Sequence, residues 1–173
     1  TATTRTIDVR GRAASVWGLL GSNGQSGLVL DPGQRFAVDL TNSLADPTII
    51  HWHGQIPDNA QDGVPDMPMP VLQPGETRAY DFPARAGTHW MHAHIPAHEM
   101  MLLAAPLIVR RPEDVAVDRQ EVTLFLHDFA FKPPAEVAPD SPEAKRVERM
   151  DRAAASARSW RKQPLTETEI EID

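Results

Sequence analysis

The sequence predicts an all-β fold, a sandwich or a barrel, on three observations. Short segments rich in β-branched and aromatic residues recur at close spacing, and clusters of Gly, Pro, Asn and Asp punctuate them. Two His-x-His pairs, His51-Trp52-His53 and His92-Ala93-His94, fall inside two of these segments.

The elements follow in chain order. Thr6 to Val9 is a strand that leads through Gly11. Gly27 to Leu30 is followed by the turn Asp31-Pro32-Gly33, and Arg35 to Leu40 ends at Thr41-Asn42-Ser43. Thr48 to His53 carries the first histidine pair on a β-branched and aromatic run. The Pro-rich stretch from Pro57 to Pro74 contains Asp62-Gly63-Val64-Pro65 and reads as a long ordered loop; loops of this length beside functional strands often carry function themselves. Glu76 to Phe82 is the next strand, and Thr88 to His94 carries the second pair just after a turn at Gly87. Leu102 to Val109 and Glu121 to Phe131 bring the strand count to about eight, a sandwich-like number.

Composition changes after Lys132. Residues 133–140 are rich in Pro and acidic groups, and Ser141-Pro142-Glu143 opens a stretch with a helix-start signature, so a helix is expected over 141–162. Its apolar positions, Val147, Met150, Ala153 and Ala154 among them, are weak and scattered. Residues 132–165 are therefore read as a polar, exposed linker or insertion, partly helical or mobile, rather than as a partner-binding face. Residues 166–173 alternate as Thr-Glu-Thr-Glu-Ile-Glu-Ile-Asp, like a strand that has only just begun and leads into a missing second domain, as in a polypeptide that has been cut.

A chain of 173 residues is long enough for one full-sized domain, which buries roughly two-thirds of its unfolded surface. A net charge of -7 and the lack of a basic stripe through residues 1–140 argue against a nucleic-acid partner and favour small molecules or metal ions. No apolar run reaches the length of a membrane span; Met100 to Val109 is interrupted by Pro106. The start at Thr1, with no Met and no basic leader, is the start expected after removal of a targeting segment or after trimming. With no Cys, disulfides, zinc-thiolate sites and copper-thiolate centres are excluded within this chain.

The histidine pairs carry the chemistry. Side chains two apart on a strand share a face, so each pair offers a two-imidazole fork. If the forks face each other, four neutral nitrogens converge, an arrangement that is costly without a cation. Imidazole suits zinc, copper, iron and nickel. A single pair is more simply an ornament of an amphipathic strand, but two pairs, each beside a Trp, favour a metal site.

His51-Trp52-His53-Gly54, Gln61-Asp62-Gly63-Val64-Pro65, Gly87-Thr88-His89-Trp90-Met91-His92-Ala93-His94 and Ala105-Pro106-Leu107-Ile108-Val109 occur in the order found in one family. Over Thr6 to about Phe131 the chain resembles the amino-terminal, plastocyanin-like cupredoxin domain of the multicopper oxidases, the laccase-like group. Glu169 to Asp173 also resembles the lead-in to that family's second domain. The resemblance implies a Greek-key cupredoxin domain over 1–131. It also implies an oxidoreductase that couples one-electron oxidation of phenols, aromatic amines or metal ions to four-electron reduction of dioxygen to water.

By the same resemblance His51 would ligate a type 2 copper, His53 and His92 one type 3 copper, and His94 the other. The remaining ligands of this trinuclear cluster come, in the family, from a last domain with a His-x-x-His-x-His and a His-Cys-His segment. This chain has neither, nor the thiolate of the type 1 copper. Its partners would then be dioxygen, a small reducing substrate, and the remainder of the polypeptide or a second chain bearing the carboxy-terminal domain. The place of action would be the periplasm or the exterior.

The resemblance makes Asp62 a proton-relay residue, against the plainer reading of an ordinary Asp-Gly turn. His89 has the wrong parity for the cluster and should point away. His98 stands where the family commonly has Gln, so its role is open between a supporting and a surface residue, and His127 is expected on a structural strand. Trp52 and Trp90 should pack beneath or beside the ligand strands. Met67, Met69, Met100 and Met101 could in principle select cuprous ion, yet core packing or loop filling is the simpler assignment. Two other classes remain. One is a non-catalytic secreted copper-binding or assembly protein of the same fold. The other is a cupin-type enzyme, which would want a Glu shortly after the second histidine, where Gly54 to Asp58 offers only Asp58.

Overall fold

Ala2–Val9 (β1) and Arg12–Leu19 (β2) form an antiparallel hairpin in register from Ala2 opposite Leu19 to Val9 opposite Arg12. The computed structural model describes residues 1–132, of which Thr1–Phe131 form one compact unit. Six further strands follow within the described residues: β3 (Leu28–Leu30), β4 (Arg35–Thr41), β5 (Ile50–His53), β6 (Thr77–Pro83), β7 (Gly87–Ala93) and β8 (Ala104–Val109). A short helix α1 (Pro96–Met100) links β7 to β8, α2 (Pro112–Val115) follows β8, and a 3-10 turn spans Asn59–Gln61 in the long loop.

The strands make three sheets: the β1-β2 hairpin, the β4-β6 pair, and a four-stranded sheet in the order β3-β8-β7-β5. Within the last, β3 runs parallel to β8 while β8-β7 and β7-β5 are antiparallel. The core draws on all of these sheets. Phe36 from β4 stacks on Phe82 from β6 at 4.7 Å, and Trp52 from β5 leans on Phe36 at 4.7 Å and meets Tyr80 edge-on at 4.9 Å. Ile50, Leu72, Leu103 and Leu107 are fully buried in the same cluster. Burying each such side chain stabilises the fold by about 1.5–3 kcal/mol.

One strand is added to those expected and one is removed. The strand Arg12–Leu19 forms although Ala13, Ala14 and Gly18 are weak β formers, because pairing along the whole of β1 outweighs local propensity. Conversely, Glu121 to Phe131, read as a strand, has no strand among the described residues, and His127 therefore lies on none. The β-branched and aromatic content there is genuine, but a strand needs a pairing neighbour as well as a composition. The segment is instead tied down by side chains: Glu121 pairs with Arg110 at 2.7 Å, Phe125 lies 6.4 Å from Trp90, and Phe129 packs beside Ala14, Val16 and Leu102. The helix expected over 141–162 and the incipient strand of 166–173 lie outside the described residues.

Candidate metal centre

β5 and β7 place the histidines by parity. Ile50 and Trp52, and opposite them Ala93 and Met91, turn into the core; His51, His53, His92 and Trp90 are left to the other face. In register, His51 lies directly opposite His92, and His53 opposite Trp90. The two forks are thus side by side and not facing each other across a gap: His51, His53 and His92 share one face of one sheet, and His94, expected on the strand, follows one residue past the end of β7.

The rings gather closely. The His51 ring centre is 5.6 Å from His53, 5.5 Å from His92 and 5.4 Å from His94, and His92 is 5.6 Å from His53 and 6.0 Å from His94. Ligand nitrogens of His51, His53 and His92 lie within 4.8 Å of one another. All four predicted histidines are therefore together, with three of them in the tightest group.

The shell around the rings decides which nitrogen points inward. His51 Nδ1 lies 2.6 Å from the Asp62 carbonyl oxygen. A carbonyl can only accept, so Nδ1–H donates and Nε2 keeps its lone pair. His92 repeats the arrangement, with Nδ1–H donating to the Ala93 carbonyl at 3.0 Å. Its Nε2 is buried and has no hydrogen-bond partner among the described residues. A buried bare nitrogen beside other imidazoles is what a metal would satisfy, so the donor set fits a nitrogen-preferring cation such as copper. Burial holds the His51 imidazole below its ordinary pKa, with His92 and His94 pushing the same way against the Asp62 carbonyl and carboxylate. Neutral imidazole is the form that binds metal.

The Asp62-Gly63 turn reaches His51 because Gly63 lies against the β5 backbone. Its φ is +73°, and a Cβ there would overlap the Ile50 carbonyl oxygen and stand 2.9 Å from His51 Cα. The turn thereby brings Asp62 Oδ1 to 3.4 Å from His51 Nδ1, so Asp62 belongs to the site by position. The same loop caps the core side of β5, where the Trp52 indole donates to the Gln61 carbonyl at 2.9 Å.

His89 points away, as its parity requires: its Nε2 bonds the Arg85 carbonyl at 3.0 Å and its ring packs on Gly54. His98, on α1, shares a 3.0 Å hydrogen bond with Thr48 Oγ1 and meets Trp17 edge-on at 4.7 Å, which makes it a packing residue. Trp90 stacks on His92 at 4.0 Å and 14°. One residue at the site escaped the sequence reading: Glu99, whose Oε2 is 3.6 Å from His92 Nδ1. The available signal was Pro96, a first-turn residue that starts a helical turn after the strand and carries Glu99 back toward the ligands.

Fold and site together define a cupredoxin-fold chain with a clustered-histidine candidate metal centre. The sequence profile of the family described as multicopper oxidase matches residues 1–114. The chain belongs to the multicopper oxidase family, and that family implies copper. Among its relatives, Laccase-2 of Botryotinia fuckeliana is 35% identical over 109 residues, covering 61% of this chain and 19% of that protein. Copper resistance protein A of Escherichia coli is 33% identical over 96 residues, covering 54% and 16%. Among solved structures, the multicopper oxidase of Pseudomonas thermotolerans superposes with a TM-score of 0.57 at 32% identity, over 64% of this chain and 29% of that one. The chain thus spans about a fifth of the length of the curated relatives it matches.

Proposed function

We propose that residues 1–131 act as the first cupredoxin domain of a multicopper oxidase and supply half the ligands of a trinuclear copper cluster, with 132–165 as a linker and 166–173 leading to a second domain. His51 would hold the type 2 copper, His53 and His92 one type 3 copper, and His94 the other. Copper held there would supply one-electron transfer and dioxygen binding, so that oxidation of a phenol, aromatic amine or metal ion is coupled to reduction of dioxygen to water. The chain's own residues set the stage. The Asp62 carbonyl keeps the His51 proton on Nδ1, the Ala93 carbonyl does the same for His92, and Trp90 covers one face of the His92 ring. Asp62, with its carboxylate beside His51, is our assignment for proton delivery to the cluster.

With no Cys, the chain needs a thiolate-bearing segment, in the same polypeptide or a second chain, to take electrons from substrate. The proposed setting, periplasmic or secreted, follows the family resemblance. The observation that carries the proposal is the convergence of imidazole nitrogens with the His92 Nε2 buried and bare. The test is copper per chain and dioxygen uptake of the native protein, beside His51→Ala and His92→Ala. Copper and uptake should both fall in the variants; undiminished copper would refute the ligand assignment. Copper loss without any uptake in the wild type, with its Cys-bearing part present, would mean a non-catalytic copper-binding protein.

A further inference from the structure

We propose that Glu99 is a positioning residue of His92: its carboxylate, 3.6 Å from Nδ1 and so beyond hydrogen-bond length, acts by its charge beside the Ala93 carbonyl to favour the proton on Nδ1, which keeps Nε2 bare and aimed at the cluster. This rests on the reading of His92 as a copper ligand.

The two cross-strand partners His51 and His92 are supported alike. At His51 the Nδ1 edge faces a carbonyl at 2.6 Å and a carboxylate oxygen at 3.4 Å, both from Asp62. At His92 the Nδ1 edge again faces a carbonyl, of Ala93 at 3.0 Å, and a carboxylate oxygen at 3.6 Å, now from Glu99. The Ala93 carbonyl belongs to the adjoining residue and moves with the His92 backbone, so by itself it is a poor external reference for the ring. Glu99 comes from α1, an element with its own anchors: the Glu99 N–H donates to the Ile95 carbonyl at 3.1 Å and the Leu102 N–H to the Glu99 carbonyl at 2.9 Å.

Two wrong states are disfavoured by this placement. In the Nε2–H tautomer, the bare Nδ1 lone pair would face two oxygens with no proton between them. In a ring flipped about the Cβ–Cγ bond, a C–H would replace the N–H in front of both oxygens. Trp90, stacked at 4.0 Å, adds a steric guard on the ring face but cannot tell one tautomer from the other. Carboxylate support of this kind is a recurrent means of fixing metal-bound imidazole.

The experiment is a long-range proton–nitrogen correlation on the 173-residue chain, labelled with nitrogen-15 in histidine and free of metal, near neutral pH, followed by titration with Cu(II) alone. His92 should show a protonated Nδ1 and a bare Nε2. Glu99→Ala should give mixed tautomers and about ten-fold weaker Cu(II) binding or worse. Glu99→Gln, whose amide oxygen still accepts, should recover both in part, and Glu113→Ala on α2 should change neither. Wild-type His92 in the Nε2–H form, or a pure Nδ1–H tautomer in Glu99→Ala whatever the affinity does, would overturn the proposal. Tautomers that respond to Glu99 in a wild-type chain that takes up no Cu(II) would uphold the positioning role and remove the copper reading instead.

Discussion

Replacing Gly63 by Ala tests how the site is supported from outside the ligand strands. The new Cβ would meet the Ile50 carbonyl and His51 Cα, so the turn must lift off β5 and Asp62 must withdraw from His51. Two costs combine. An L-residue in the left-handed region costs roughly 1–2 kcal/mol. Loss of the carbonyl that accepts from the buried His51 Nδ1–H costs about 1–3 kcal/mol. The sum, about 2–5 kcal/mol, is a large part of an ordinary domain's stability of about 5–15 kcal/mol. Gly33 supplies the control, since its φ is also positive, at +80°, but a Cβ there meets nothing within 4 Å. Gly33→Ala should therefore show only the backbone cost. Urea unfolding of both variants in the metal-free chain measures the difference, expected at about 1–3 kcal/mol. Equal destabilisation by the two substitutions would refute the idea that close approach of this turn supports His51.

Trp90→Leu should destabilise the chain by about 1–3 kcal/mol and Trp90→Phe by less, because the stacked contact with His92 is lost or reduced; equal unfolding midpoints would count against it. Burial holds the His98 pKa below the ordinary imidazole value of about 6.5, with Asp46 opposing, so the unfolded chain binds this proton more readily. Its contribution is intact above about pH 6.5 and is lost as pH falls through the lower folded value; His98→Gln should flatten that part of the stability profile, and parallel profiles would rule it out. Cu(II) at a hundred-fold excess over its dissociation constant should stabilise the wild type by about 2.7 kcal/mol and leave a His51→Ala/His92→Ala chain unmoved, as thermal unfolding would report. Asp62→Asn in the complete oxidase should slow dioxygen turnover; unchanged turnover across pH would remove the proton-delivery role.

The histidine cluster was legible because strand parity is a local rule. Given His51 and His53 on β5 and His92 on β7, with His94 one residue past its end, only the pairing of β5 with β7 had to be added, and Ile50, Trp52 and Met91 drive that pairing through the core. The parts that were hidden depend on partners distant in sequence. Arg12–Leu19 becomes a strand through β1, whereas Glu121 to Phe131 carries the composition of a strand without a described neighbour. For Glu99 the sequence offers only Pro96, which marks a helical turn after the strand but does not say that a five-residue helix will turn its carboxylate toward a histidine on that strand.

The same two strands serve core and site, and this explains how nitrogens can be gathered before any metal arrives. A slip of one residue between β5 and β7 would exchange faces, turning His51 into the apolar core and displacing Ile50 or Trp52 from it. Each of the large side chains so displaced is worth about 1.5–3 kcal/mol of burial. An imidazole forced into the core would add a desolvation cost for its unpaired nitrogens. The hydrophobic face therefore fixes the register, and the register fixes which histidines meet. What the core cannot fix is the ring's proton, since parity places Cβ atoms and says nothing of tautomers. That task falls to the surrounding oxygens: the Asp62 carbonyl from the loop over β5 accepts from His51, the Ala93 carbonyl accepts from His92, and the carboxylates of Asp62 and of Glu99, from the helix after β7, stand beside them. Position is thus set by apolar burial and protonation by the surrounding oxygens, so a substitution at Gly63 or Glu99 should spoil metal binding while leaving the sheet order intact.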